Sequence, residues 1–141
     1  MGPLRTRRRV EFRDTDAAGI AHFSAFFFWM ESAEHELLRA AGVAVVDHVA
    51  GDADASWPRV SATCDYRSAV RFGDEIDIDV SVASVGRTSV TYAFEFTQDG
   101  RGVASGRVVA VRCLMRAGQK PEPIAIPDEI AGRLAPYRTA S

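Results

Sequence analysis

Residues 24–41 change the period of this chain, and that change limits the folds open to it. Phe26, Phe27, Met30, Ala33, Glu34, Leu37, Leu38 and Ala41, with Phe23 just upstream, recur at spacings of three and four, and all but Glu34 are apolar. Such spacing places them on one face of an α-helix. Ser24 is the expected N-cap, Arg39 suits the last turn and Gly42 the stop. At 1.5 Å per residue the helix spans about 27 Å. Five aromatics crowd its start: Phe23, Phe26, Phe27, Phe28 and Trp29. Consecutive helical positions point to all sides, so the five cannot share one core.

Elsewhere the period is two. Residues 6–13 predict a strand, with Val10 and Phe12 alternating against Arg9, Glu11 and Arg13. After the helix, residues 43–56 read as a connector with a short helical piece at 43–49 and a loop at 51–54. Strands are then expected over 59–66, 75–85, 88–97 and 103–115. The clearest alternates Ile76, Ile78, Val80 and Val82 with Glu75, Asp77, Asp79 and Ser81. Asp99-Gly100 is a tight-hairpin signal, so its flanking strands are expected to pair antiparallel. The proline-rich tail is irregular, with one helical turn at 128–134. A helix this aromatic needs a broad apolar surface, and one antiparallel sheet curled around it supplies that. The expectation is a two-layer α+β domain over residues 1–141, a length suited to one core.

Charge and composition exclude several functions. The 17 basic and 19 acidic residues leave a net charge of −2, which gives nucleic-acid binding no global support. All the basic residues but Lys120 are arginine, and arginine suits phosphate or carboxylate recognition. The Arg5–Arg9 cluster reads as a polar strand start. The longest apolar stretch, Ala25–Met30, is too short for a membrane span or a signal peptide, so a cytoplasmic protein is expected. Cys64 and Cys113 stand far apart, and His22, His35 and His48 lack metal-ligand spacing with them. No metal site is expected.

The stretch from Phe12 to Phe23 joins the first strand to the helix start. A helix N-terminus presents free N–H groups and the positive end of a dipole, which stabilise an anion or a developing oxyanion. A carboxylate just upstream is placed to attack a carbonyl held there, or to activate water against it. Gly19 lets backbone and substrate approach closely. The constellation suits acyl transfer from an ester or thioester. The plainer alternative makes Asp14 and Asp16 turn or cap residues.

The run from Val10 to Gly42 resembles the opening of hotdog-fold acyl-CoA thioesterases of the 4-hydroxybenzoyl-CoA thioesterase-like family. That opening is a strand, Asp-x-Asp-x-x-Gly, a short segment, then a helix ending Leu-Arg-x-x-Gly. The later runs Cys64-Asp65-Tyr66-Arg67, Arg71-Phe72-Gly73-Asp74, Gly86-Arg87-Thr88-Ser89, Lys120-Pro121 and Ile126-Pro127 are also similar in order. The resemblance implies a long central helix wrapped by a curved antiparallel sheet. It implies Asp16 as nucleophile or general base, and an oxyanion held by the backbone N–H of Phe23. Some members carry a histidine one position later than His22, so His22 either orients substrate or water, or packs. A related branch uses a helix glutamate, which keeps Glu31 and Glu34 as alternatives. An acyl pocket is expected from Phe23, Phe26, Phe27 and Trp29. Coenzyme A phosphates are expected among Arg59, Arg67, Arg71, Arg87, Arg116 and Lys120. The resemblance further implies a dimer or tetramer with continuous sheets and active sites at the seam. The expected partner is an aryl- or medium-chain acyl-CoA substrate, with no cofactor beyond that CoA moiety, no nucleic acid and no membrane. Two other readings are a hotdog protein that binds acyl-CoA or an acyl carrier without hydrolysis, and a hydratase or dehydratase using Asp16 with His22.

Overall fold

The computed structural model describes residues 1–139. Helix α1 (Ala25–Ala41) buries Phe26, Trp29, Met30, Ala33, Glu34, Leu37 and Leu38. It stops at Gly42, whose left-handed backbone (φ 76°) lets the Val43 N–H donate to the Leu38 carbonyl. The sheet around it contains β1 (Leu4–Arg9), β4 (Arg59–Tyr66), β5 (Glu75–Val85), β6 (Ser89–Gln98) and β7 (Arg101–Val111), in the order β1-β5-β6-β7-β4. All these pairings are antiparallel. The alternating residues Ile76, Ile78, Val80 and Val82 are fully buried, as are Val90, Tyr92 and Phe96 on the next strand. Their common face meets α1, as the period-two reading requires. A Cβ at Gly106 of β7 would collide with the Met30 sulfur, so the bare backbone there lets the helix seat on the sheet.

The arginine-rich start has an internal explanation. Arg5, Arg7 and Arg9 lie on the outer face of β1 and pair with Asp79, Asp77 and Glu75 across β5. Arg8 points the other way, to Ser32 and Glu36 of α1. The cluster is thus a cross-strand ladder of opposite charges.

Three expectations need correction. Residues 43–49 form no helix: Asp47–Ala50 is a strand, β2, paired with β3 (Ala53–Ser56) around Gly51 (φ 59°). The β-branched Val45, Val46 and Val49 favour the extended chain, and the segment is too short to sustain a helix of its own. The expected loop at 51–54 is accordingly the turn of this hairpin together with the start of β3. The strand expected at 103–115 is divided at Arg112. Its end, β8 (Cys113–Met115), leaves the large sheet to pair with β3 and with β9 (Glu122–Pro123) in a second, four-stranded sheet. The first strand ends at Arg9. Val10 is buried, but residues 12–14 turn as a short 3-10 helix in which Glu11 and Asp14 cap each other reciprocally. Phe12 therefore faces solvent against Phe72 instead of the core. The helical turn expected in the tail is present as α2 (Asp128–Leu134).

Candidate active site

The loop from Asp14 to Ser24 is fixed by its own backbone and by the segment before β5. Asp16 Oδ1 accepts the Ala18 N–H (2.8 Å), and Gly19, at φ 80°, returns its N–H to the Asp16 carbonyl (2.9 Å). The Asp16 N–H donates to the Ile20 carbonyl (3.0 Å). Ala21 N–H donates to the Val70 carbonyl (2.8 Å), and Ile20 bridges Arg71. One carboxylate oxygen of Asp16 thus serves the turn. The other has no protein partner among the described residues.

Asp16 lines a cavity of about 370 Å³ with Ile20, Phe23, Phe26, Tyr66 and Ser68. Phe23 stands at the entry of α1. Its N–H makes no hydrogen bond among the described residues, while its carbonyl accepts the Tyr66 hydroxyl (2.8 Å). Burial pushes the Tyr66 phenol up to about 12, so it donates as the neutral form at physiological pH. Asp16, with one carboxylate oxygen unbonded, and Phe23, with its N–H unbonded, therefore line one aromatic-walled cavity. That pairing suits attack on, or hydration of, an acyl carbonyl whose oxygen rests on the N–H.

The other expected residues divide among different places. Of the aromatic set, Phe23 and Phe26 line the Asp16 cavity, and Phe26 packs edge-on against Trp29, Tyr66 and Phe96. Phe27 lines a smaller recess of about 200 Å³ with Phe28, Glu31 and Arg59. Trp29 is buried and edges a groove of about 850 Å³ between β1 and α1. His22 lines that same groove, not the Asp16 cavity. The two residues share no hydrogen bond among the described residues. Ser24 does not cap α1 with its hydroxyl; that hydroxyl lies 2.7 Å from His22 Nδ1.

Glu34 has its partner in Arg59, 2.7 Å away, and is 1% exposed. Burial drives its carboxyl up to about 7, against the pull of Arg59, and its Oε1 is left unpartnered. Glu31 is half-exposed and also faces Arg59, at 3.6 Å. Among the expected phosphate contacts, Arg67 lines the Asp16 cavity and pairs with Glu95, and Arg71 reaches the Gly19 carbonyl. Arg59 is committed to Glu34. Arg87 lies in the turn at the far end of β5, and Arg116 and Lys120 follow β8. Among the described residues no three His, Cys, Asp or Glu side chains gather as a metal site would require, and no helix is long and apolar enough to cross a membrane. Sequence reasoning passed over Tyr66 as a site residue. Its signal was its place at the end of the strand, within the run Cys64-Asp65-Tyr66-Arg67 that carries part of the resemblance.

Comparison with known proteins gives a consistent result. Residues 10–134 match the model of the thioesterase-like superfamily. A 1,4-dihydroxy-2-naphthoyl-CoA hydrolase of Synechococcus sp. (strain CC9311) is 30% identical, over 94% of this chain and 95% of that protein. A solved gentisyl-coenzyme A thioesterase is 26% identical, with a TM-score of 0.75 over 94% of this chain and 99% of that one. The 1,4-dihydroxy-2-naphthoyl-CoA thioesterase of Synechocystis shares the fold, at a TM-score of 0.80 and 18% identity over 95% and 96% of the two chains.

Proposed function

Since the chain belongs to the thioesterase-like superfamily and is an enzyme of hotdog fold, we propose that it hydrolyses an aryl-CoA thioester with Asp16 as nucleophile or general base. The observation that carries this reading is that Asp16, with an unbonded carboxylate oxygen, and Phe23, with an unbonded N–H, line the same cavity. The N–H takes the charge that develops on the thioester oxygen. Asp16 either attacks the carbonyl carbon, expelling coenzyme A as the thiolate and leaving an acyl–aspartyl anhydride that water then cleaves, or takes a proton from the attacking water. In both routes the acid is released and the proton from water ends on the coenzyme A thiol. The reading asks for no cofactor; coenzyme A is part of the substrate. The aromatic wall of Phe23, Phe26 and Tyr66 favours a flat acyl group, and the relatives above are named for aryl-CoA substrates.

The site is completed by a second copy of the chain. Strand β4 is an open edge of the large sheet, exposed along nearly its whole length, with Val60 65% exposed. Such an edge invites pairing. Antiparallel pairing of two β4 edges sets the Arg59 end of one beside the Tyr66 end of the other. The Arg59 end is also the end of Arg87, since Arg59 pairs with Ala110 and Ser89 with Val111. This arrangement brings Arg87 toward the Asp16 cavity of the other copy, which Arg67 already lines. The phosphates of coenzyme A are then met by both copies.

The test is release of free thiol over a panel of aryl- and alkyl-CoA thioesters, with hydratase activity assayed alongside and mass measured by light scattering. Aryl-CoA turnover by a dimer or tetramer is expected. Binding without thiol release points to a non-catalytic carrier, and a monomer at micromolar concentration removes the shared site.

A further inference from the structure

Resting on the reading that the Phe23 N–H holds the oxyanion, we infer that His22 is a positioning residue: its unprotonated Nδ1 caps α1 and fixes the Phe23–Ser24 peptide, next in the chain to that N–H. The Ser24 N–H lies 3.2 Å from that nitrogen. A backbone N–H only donates, so Nδ1 presents its lone pair and the neutral ring carries its proton on Nε2. The Ser24 hydroxyl, 2.7 Å from the same nitrogen, then donates as well. Residue 22 is held by its backbone too: its N–H donates to the Asp14 carbonyl (2.7 Å) and its carbonyl accepts the Ala25 N–H (2.9 Å). The imidazole stacks on the Phe23 ring, with centroids 4.4 Å apart. On the other side Tyr66 holds the Phe23 carbonyl. The Phe23–Ser24 peptide is therefore held at both ends, its carbonyl by Tyr66 of β4 and its N–H by the imidazole, and it directly follows the His22–Phe23 peptide, whose N–H is left free.

This arrangement separates His22 from the reacting atoms. The ring borders the groove between β1 and α1 with Arg13 and Trp29, while Asp16 borders the other cavity. The nitrogen facing the helix start is fully engaged in holding an orphan N–H of the first turn, a role usually taken by a Ser, Asp or Asn oxygen. A side chain that holds the peptide adjoining the oxyanion N–H acts through geometry, and small displacements there are costly in turnover.

Asparagine and glutamine distinguish the two ring nitrogens, because the Asn side-chain oxygen falls where Nδ1 stands and the Gln end group where Nε2 stands. The experiment compares the parent with His22→Asn, His22→Gln and His22→Phe. It measures kcat and KM on an aryl-CoA that the parent hydrolyses, and backbone amide exchange of Ser24 by NMR. Ser24 is expected to be protected in the parent and in His22→Asn, and to exchange freely in the Gln and Phe variants. Those two are expected to lose about tenfold or more in kcat with KM little changed, and Asn to recover most of it. Recovery by Gln but not Asn would place the role on Nε2 and overturn the inference. So would equal Ser24 protection and equal turnover in all four proteins. A parent that hydrolyses no thioester defeats the proposed function, and the Ser24 exchange pattern then still decides whether His22 caps the helix.

Discussion

Asp16 and Glu34 flank the same helix and live under opposite conditions. Asp16 sits in an exposed loop before α1, with one oxygen tied to the Ala18 N–H and the other open to a cavity. Glu34 sits within the helix, 1% exposed, with one oxygen on Arg59 and the other on nothing. A carboxylate that must react with a substrate has to stay accessible, which the exposed loop provides. A carboxylate under the sheet loses hydration that a single arginine does not replace, and it holds its proton toward neutral pH. The first is suited to turnover, and the second ties α1 to the edge strand β4 at the expense of stability at high pH.

The largest expected effect tests the first half of this contrast. Asp16→Asn keeps the acceptor for the Ala18 N–H and removes the charge. Turnover is expected to fall about 100-fold or more, equivalent to about 2.7 kcal/mol in the barrier, with KM and melting temperature little changed. Asp14→Asn is the control. Asp14 spends its carboxylate on the Glu11 N–H, so that change should matter less to turnover. Unchanged turnover in Asp16→Asn removes Asp16 from the chemistry. Loss of turnover together with loss of fold returns it to the status of a turn residue.

The next effect is on stability and follows from the sign of the Glu34 shift. Its folded value, about 7, lies above that of the unfolded chain. The folded state therefore binds the proton more tightly, and the contribution is present at low pH and fades as pH rises toward and through 7. Between pH 5 and 8 the parent should lose on the order of 2 kcal/mol from this group. Glu34→Gln carries no titrating proton there, so melting curves across that range should show the decline in the parent and its absence in the variant. The same slope in both proteins would assign the pH dependence elsewhere.

Much of this was legible in the sequence because it depends on period and on turn residues. The alternation from Glu75 to Val85, the Asp99-Gly100 turn and the face of α1 are each written in neighbouring residues. The turn of Asp16 and Gly19 was readable for the same reason, while the choice of Asp16 over Asp14 as the reacting carboxylate came from the resemblance. What was hidden depends on contacts far apart in the chain. The division of the last long strand at Arg112 follows from β8 meeting β3, residues some sixty positions upstream. Tyr66 reaches Phe23 across 43 positions, and Arg59 reaches Glu34 across 25. His22 lay in plain view, but which cavity its ring borders, and which of its nitrogens is occupied, is decided by how the loop folds back onto the helix.

The smallest expected effect concerns Glu31, which separates the two carboxylates further. It lies on the same helix, half-exposed, 3.6 Å from Arg59. Its charge adds only slightly to the upward push on Glu34, after burial and the opposing pull of Arg59. If Asp16 carries the chemistry, Glu31→Gln should leave turnover within about twofold, since an exposed carboxylate paired with an arginine holds no reacting atom. Removing it should also draw the Glu34 titration downward, because the repulsion of a neighbouring negative charge is gone. A large loss of turnover in Glu31→Gln, with the fold intact by circular dichroism, would instead select the helix glutamate as the catalytic carboxylate and leave Asp16 as the residue that shapes the loop.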